Sequence, residues 1–168
     1  MADAGLFVAR IVLGLMMAAH GAQKLFGWFG GYGLTAVTGY FETLGFRPGR
    51  PFAFAAAAGE VLSGVLVALG LFGPVGPALM LAVMIVAAVN GSSIPLANGL
   101  FATTNGIELP LLYAAGAATL TLTGFGVYSL DTLLGFSSLW TPAIAWSALV
   151  IGVVGGIGNL AVRRPVQV

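Results

Sequence analysis

Five stretches of the chain are apolar almost without interruption, and glycine, proline or charge closes each of them. They cover residues 5–26, 52–73, 75–90, 108–126 and 142–162. At about 1.5 Å of rise per residue the first is about 33 Å long as a helix, enough to cross a hydrocarbon core of about 30 Å. Between the second and third, Gly73-Pro74-Val75-Gly76-Pro77 reads as a tight turn, because two prolines do not both fit inside an ordinary helix. The third stretch is the shortest. The polar segment from Asn90 to Gly106 after it either leaves the membrane or dips into it.

The link from Gly27 to Pro51 is too long for a simple turn and too apolar for a solvated loop. Leu34, Val37, Phe41 and Leu44 recur at helical spacing, which predicts an amphipathic helix over about 34–45 lying in the membrane interface. Trp28, Phe29, Tyr32, Tyr40 and Phe46 around it fit an interfacial aromatic belt.

Composition turns these stretches into membrane spans. The chain is 59% hydrophobic and 7% charged, whereas about a quarter of the residues of a soluble domain are charged. No linker, repeat or low-complexity tract divides it, so residues 1–168 read as one all-α, polytopic transmembrane helical bundle. Asp3 stands where a signal peptide would be basic and Arg10 interrupts the first apolar stretch, so that stretch reads as a retained helix.

The net charge of +1 includes no basic cluster larger than Arg163-Arg164, which leaves nucleic-acid binding unsupported. Without cysteine there is no disulfide, thiolate metal site or dithiol chemistry. Five spans with a cytoplasmic C-terminus gather Lys24, Arg47, Arg50, Arg163 and Arg164 on the inner side, whereas four spans would divide them.

The few charges inside the apolar stretches mark the candidate chemistry. A buried ionisable group costs roughly 2.5 to 3.5 kcal/mol in hydrocarbon even on insertion scales, so its default reading is functional. His20 and Glu60 fall at about 9 and 12 Å from the boundary that the first two spans share. Arg10, His20 and Lys24 lie towards one face of the first helix. On the second, Ala56, Glu60 and Gly64, with Gly59 and Ser63, allow close approach, so Glu60 is expected to face that basic stripe. His20 and Glu60 are the candidate catalytic pair, and Arg10, His20, Lys24, Glu60 and Glu108 are the candidate ligand-binding set.

Each has a structural alternative. An ion pair of Glu60 with His20 or Lys24 can merely fix helix register. Arg10 can snorkel to the nearer interface. Asn105 and Glu108 have capping-box spacing and Pro110 suits an early helical position, so Glu108 can cap the fourth span. One histidine with dispersed carboxylates supplies neither a zinc nor a di-iron site, and no haem site is evident. On the fifth span, Gly152 with Gly156 and Gly155 with Asn159 form small-residue faces, which predicts tight packing within the bundle or an added contact surface between protomers.

These residues carry a family resemblance. Arg10-Ile-Val-Leu-Gly14 and His20-Gly-Ala-Gln-Lys24-Leu-Phe-Gly-Trp-Phe-Gly-Gly31 resemble the opening of the DoxX family of small membrane proteins. Gly59-Glu60-Val-Leu-Ser-Gly64 resembles its second-helix motif. Asn105-Gly-Ile-Glu108-Leu-Pro-Leu-Leu-Tyr113 and Gly124-Phe-Gly-Val-Tyr-Ser-Leu-Asp131 resemble later ones. The resemblance implies a four-span bundle, with the fifth helix here an addition, in the bacterial cytoplasmic membrane. It also implies an oxidoreductase label, since some members resemble a thiosulfate:quinone oxidoreductase subunit and others are linked to quinone resistance. Many relatives carry a second histidine after the third helix, where this chain has Asn90-Gly-Ser-Ser93, so no haem or metal role carries over.

Three functional readings follow. The first is a membrane redox protein or accessory subunit, possessing a partner redox subunit or a second copy of itself, that holds a quinone or similar small apolar molecule near His20, Lys24 and Glu60. The second is a non-enzymatic scaffold for a partner complex. The third is a small-solute or proton pathway. Substrate, electron donor, partner and oligomeric state are not written in the sequence.

Overall fold

The computed structural model describes residues 1–90 and 96–164, and among them no strand occurs. Seven α-helices do: α1 (Ala2–Phe26), α2 (Gly33–Thr43), α3 (Gly49–Leu69), α4 (Val75–Asn90), α5 (Glu108–Thr123), α6 (Leu130–Leu133) and α7 (Pro142–Ala161). The molecule is an all-α membrane bundle. Its helix ends differ from the sequence-based bounds where backbone chemistry intervenes. α3 starts at Gly49, before the expected residue 52, because Pro51 is tolerated in a first turn, where no N–H is needed. It ends at Leu69, not residue 73, because Gly70 takes a left-handed conformation at φ 65°. α5 stops at Thr123, short of residue 126, before Gly124 at φ 74°. α7 opens where the Thr141 hydroxyl accepts from the Ile144 N–H, with Pro142 just inside the helix.

Glycines set the closeness of α1 and α3. A Cβ on Gly21 would meet the Ala57 carbonyl and Val61 Cγ2 at 2.6 Å, and one on Gly14 would lie 2.6 Å from the Gly64 carbonyl. Only glycine lets the backbones approach so far. From this pair the bundle closes as a ring, α3 against α4, α4 against α5 and α5 back to α1, and α7 packs outside against α4 and α5. Gly152 and Gly156 face α4, where added Cβ atoms would lie 2.7 Å from the Ala78 carbonyl and 2.9 Å from the Ala82 carbonyl. The expected contact surface between protomers is therefore corrected at these two glycines, whose small face α4 occupies within the chain.

Met17, Val67, Met80, Leu120 and Leu149 form the centre of the core. Half of the most apolar stretch of α3 is buried, against 17% in α1 and α7, so α3 is central and the other two are peripheral. The outward faces remain apolar, with Val8, Val12 and Leu15 on α1 and Val150, Ile151 and Val154 on α7 exposed. Faces of this kind are stable against hydrocarbon, not water. Three helices, Ala2–Phe26, Gly49–Leu69 and Pro142–Ala161, are long and apolar enough to cross a membrane, and Val75–Val89 is apolar but shorter.

Two clusters of contacts define the ends of the bundle. At one end the Arg164 N–H donates to the Gly45 carbonyl at 2.9 Å, which brings the end of α7 to the loop before α3. At the other, Asp3 Oδ1 accepts from the Val127 N–H at 3.1 Å, joining the start of α1 to the connection after α5. The five long helices run alternately between these ends. Residues 91–95, and with them most of Asn90-Gly-Ser-Ser93, lie outside the described residues. From Leu96 the chain folds on itself, with the Ile107 N–H on the Gly99 carbonyl at 3.1 Å and the Glu108 N–H on the Leu100 carbonyl at 2.8 Å.

Candidate functional site

Glu60 sits on α3 with 1% of its surface exposed. Lys24, in the last turn of α1 where the helix dipole favours a cation, pairs its Nζ with Glu60 Oε1. The partners are unequally buried: the lysine side chain is 35% exposed and the glutamate 2%. Glu60 Oε2 is buried and has no hydrogen-bond partner.

His20 takes a different partner from the expected Glu60. Gly21 faces α3, Lys24 three residues on shares its side of the helix, and His20, about 100° round, turns away. Its ring meets Tyr113 of α5 edge-on, with centroids 6.0 Å apart. His20 Nδ1 lies 3.2 Å from Gln23 Oε1, and Gln23 Nε2 donates to the Phe29 carbonyl at 3.2 Å. That second bond orients the amide so that Oε1 is the acceptor, which assigns the proton to His20 Nδ1.

Arg10 does not snorkel. It is 2% exposed, and its Nη1 and Nη2 donate to the carbonyls of Ala68 and Tyr128. The last turn of α3 explains the first contact. Gly70 and Leu71 N–H groups serve the Val67 and Leu66 carbonyls, and Arg10 serves that of Ala68. The guanidinium also lies 5.1 Å from the centre of the Phe7 ring. Fourteen residues separate Arg10 from Lys24, about 21 Å along the helix, so the two mark opposite ends of the bundle.

Asp131, which sequence reasoning did not single out, belongs to the Arg10 end. It is 2% exposed and accepts from the Phe72 N–H at 2.8 Å, the Gly73 N–H at 2.6 Å and Trp140 Nε1 at 2.8 Å. The signal was present as the one acidic residue of the Gly124 to Asp131 motif. Glu108 stands apart from both groups. Its Oε2 accepts from the Ala102 N–H at 2.8 Å, while Ile107 occupies the N-cap of α5 without a side-chain bond and Asn105 is left-handed at φ 57°. The expected capping box is thus replaced by a carboxylate that holds the preceding loop. Asn105 cannot cap because its backbone closes that loop.

Beside the Lys24–Glu60 pair lies a cavity of about 790 Å³ between the end of α1, α2, α3, α4 and α7. Val37, Phe41, Phe52, Val83 and Val86 supply apolar wall, and Gln23, Lys24, Tyr40, Glu60 and Asn159 supply polar groups. Burial pushes the Tyr40 phenol up from its ordinary range, which keeps it neutral at physiological pH. Arg10, His20 and Glu108 are not among the lining residues, and Gln23 stands between His20 and the cavity. An apolar chamber with a few convergent polar groups is the ordinary form of a small-molecule site.

No curated protein and no solved structure matches the chain. A family model described as DoxX matches residues 5–92, just over half of the sequence and including Arg10, His20, Lys24 and Glu60. With the apolar helical bundle, that match makes this chain a membrane protein of the DoxX family.

Proposed function

We propose that the protein is a redox-associated membrane protein or accessory subunit that holds a quinone, or a similar small apolar molecule, in the cavity beside Lys24 and Glu60. One observation carries this reading: the Lys24–Glu60 pair, whose glutamate is buried, forms part of the wall of a chamber of about 790 Å³ that is otherwise mostly apolar. A flat ring with polar substituents matches such a chamber, since the ring covers apolar wall and its oxygens meet the charged pair. His20 supports the site through Gln23 and does not touch the ligand. The test is to purify the protein in mild detergent, extract the bound lipids and assay them for quinone. Quinone at a near-stoichiometric level is expected. Its absence, with no visible absorbance, would return weight to the scaffold reading.

We assign five spans, α1, α3, α4, α5 and α7, with the C-terminus on the cytoplasmic side of a bacterial inner membrane. The Arg164–Gly45 hydrogen bond supports this, because it gathers Arg163 and Arg164 at the end that carries Lys24, Arg47 and Arg50. Reporter fusions at residues 2 and 168 should give opposite signals, and matching signals would refute the assignment.

A further inference from the structure

We infer that the cavity opens sideways into the lipid between α2 and α7, so that its ligand is a membrane amphiphile whose polar ring sits inside while a long apolar tail stays in the bilayer. This rests on the reading of the cavity as a quinone-type site. The two helices that bound the opening are held by different neighbours, α2 by α3 and α1, and α7 by α4 and α5. Both line the cavity, which leaves a slot between them. The slot is closed towards the nearer aqueous face. Leu44, just past α2, and Asn159, near the end of α7, line the cavity, and beyond them the Arg164 N–H donates to the Gly45 carbonyl at 2.9 Å. The two segments touch there, since a side chain on Gly45 would collide with the Arg164 carbonyl. A ligand in the cavity is thus covered on the side where water is and uncovered on the side where lipid is.

Polarity falls away from that junction. Tyr40 and Asn159 lie five residues before Gly45 and Arg164, whereas Leu79 lies eight residues from Ala87 along α4, about 12 Å deeper in the same wall. A ring with polar substituents therefore belongs near Lys24 and Asn159, with its tail directed down and out. On α7 the way is open. A Cβ built on Gly155, one turn below Asn159, meets nothing within 4 Å, and Ile151, another turn on, is 68% exposed. No polar side chain interrupts α7 between Ser147 and Asn159, so this face continues from the cavity as an apolar track. A tail there exchanges lipid contacts for protein contacts of the same polarity and adds little affinity. What the slot does is remove the limit on tail length that a closed chamber of about 790 Å³ would set.

The experiment uses the full chain in phosphatidylcholine nanodiscs, with empty discs as the reference for partition into lipid. Both are equilibrated with donor vesicles carrying a dimethoxy-methyl-benzoquinone with a tail of either two or ten isoprene units, and the quinone in the recovered discs above the empty-disc level is measured. The two probes should be retained equally, within about twofold, because the long tail leaves through the slot. Gly155→Leu should lower retention of the long-tailed probe about tenfold, the size of a modest overpacking penalty, and that of the short-tailed probe no more than about threefold. Retention of the short tail with exclusion of the long one overturns the lateral opening and leaves the cavity reading in place, and this comparison needs the wild type alone. An equal effect of Gly155→Leu on both probes, or none, overturns the route past α7. Retention of neither probe by the wild type overturns the opening and the cavity reading together.

Discussion

At the Arg10 end of the bundle the guanidinium N–H groups meet the carbonyls of Ala68 and Tyr128, and Asp131 accepts from three donors. At the other end Glu60 keeps one buried oxygen without a partner, beside a cavity of about 790 Å³. Both ends bury charge within the same apolar frame. What differs is saturation. Arg10 and Asp131 bind backbone groups of the end of α3, the α3–α4 turn and the 124–141 connection, and Asp131 also binds the Trp140 side chain, so their charge fastens chain segments. Arg10 Nε is itself without a hydrogen-bond partner, but the guanidinium lies against the Phe7 ring. Glu60 is satisfied on one side only, and an incompletely satisfied polar group is costly in a low-dielectric interior unless something else completes it. A smaller cavity of about 360 Å³ borders Asp131 as well, so neither burial of a charge nor space beside it distinguishes a clamp from a binding site; the count of its partners does.

The comparison can be broken most directly at Arg10. Arg10→Leu leaves the Ala68 and Tyr128 carbonyls without their donors and should cost about 4 kcal/mol. Thermal unfolding in detergent would register this as a large fall in midpoint, with unchanged ligand content per folded molecule. A small loss of stability, or a selective loss of ligand, would erase the distinction between the two ends.

Lys24→Met comes next, at about 3 kcal/mol, because it strands the more deeply buried partner of the pair. Here ligand retention should fall together with stability. Glu60→Gln should cost less, since the Lys24 side chain is 35% exposed and can turn to water. If the two variants proved equally destabilising, the unequal burial would have no energetic meaning.

Asp131→Asn replaces one acceptor oxygen with an amide that cannot serve both the Gly73 N–H and Trp140 Nε1. It should cost about 2 kcal/mol and raise exchange of the Phe72 and Gly73 amides in hydrogen-exchange measurements. Protection that stays at the wild-type level would show that Asp131 does not fasten this turn. The smallest effect on stability belongs to Gly155→Leu, within about 1 kcal/mol and with a gain in helix propensity, although it fills the cavity. Gly156→Leu next to it drives a side chain into the Ala82 carbonyl and Ile85, so a comparable melting point for these two variants would contradict the placement of α7.

Much of the fold was legible because hydrophobicity alone dictates it. Apolar runs of spanning length with glycine and proline between them have few solutions, and the helices observed fall within a few residues of the predicted bounds. The amphipathic helix before α3 was legible from spacing, and so was the close α1–α3 crossing from small residues. Of the two partners that the sequence offered Glu60, Lys24 meets it and His20 does not, because a shared depth and a shared helix face are not contact. A residue 100° away from the Gly21 crossing faces a different neighbour. Asp131 was passed over because its value depends on three donors from residues 59, 58 and 9 positions away in sequence.

The sequence by itself determined that the chain is an apolar helical bundle, that its charges are too few to be incidental, and that the helix bearing Glu60 has the small residues for close approach. Those properties follow from composition and local periodicity, which the chain carries before it folds. Only the tertiary structure decided which cation meets Glu60, that Arg10 closes the opposite end, and that α7 turns one glycine face to α4 while Gly155 lines a cavity. Partners are chosen by how helices rotate and cross, and that rotation is fixed by packing summed over the whole bundle, which no local pattern contains.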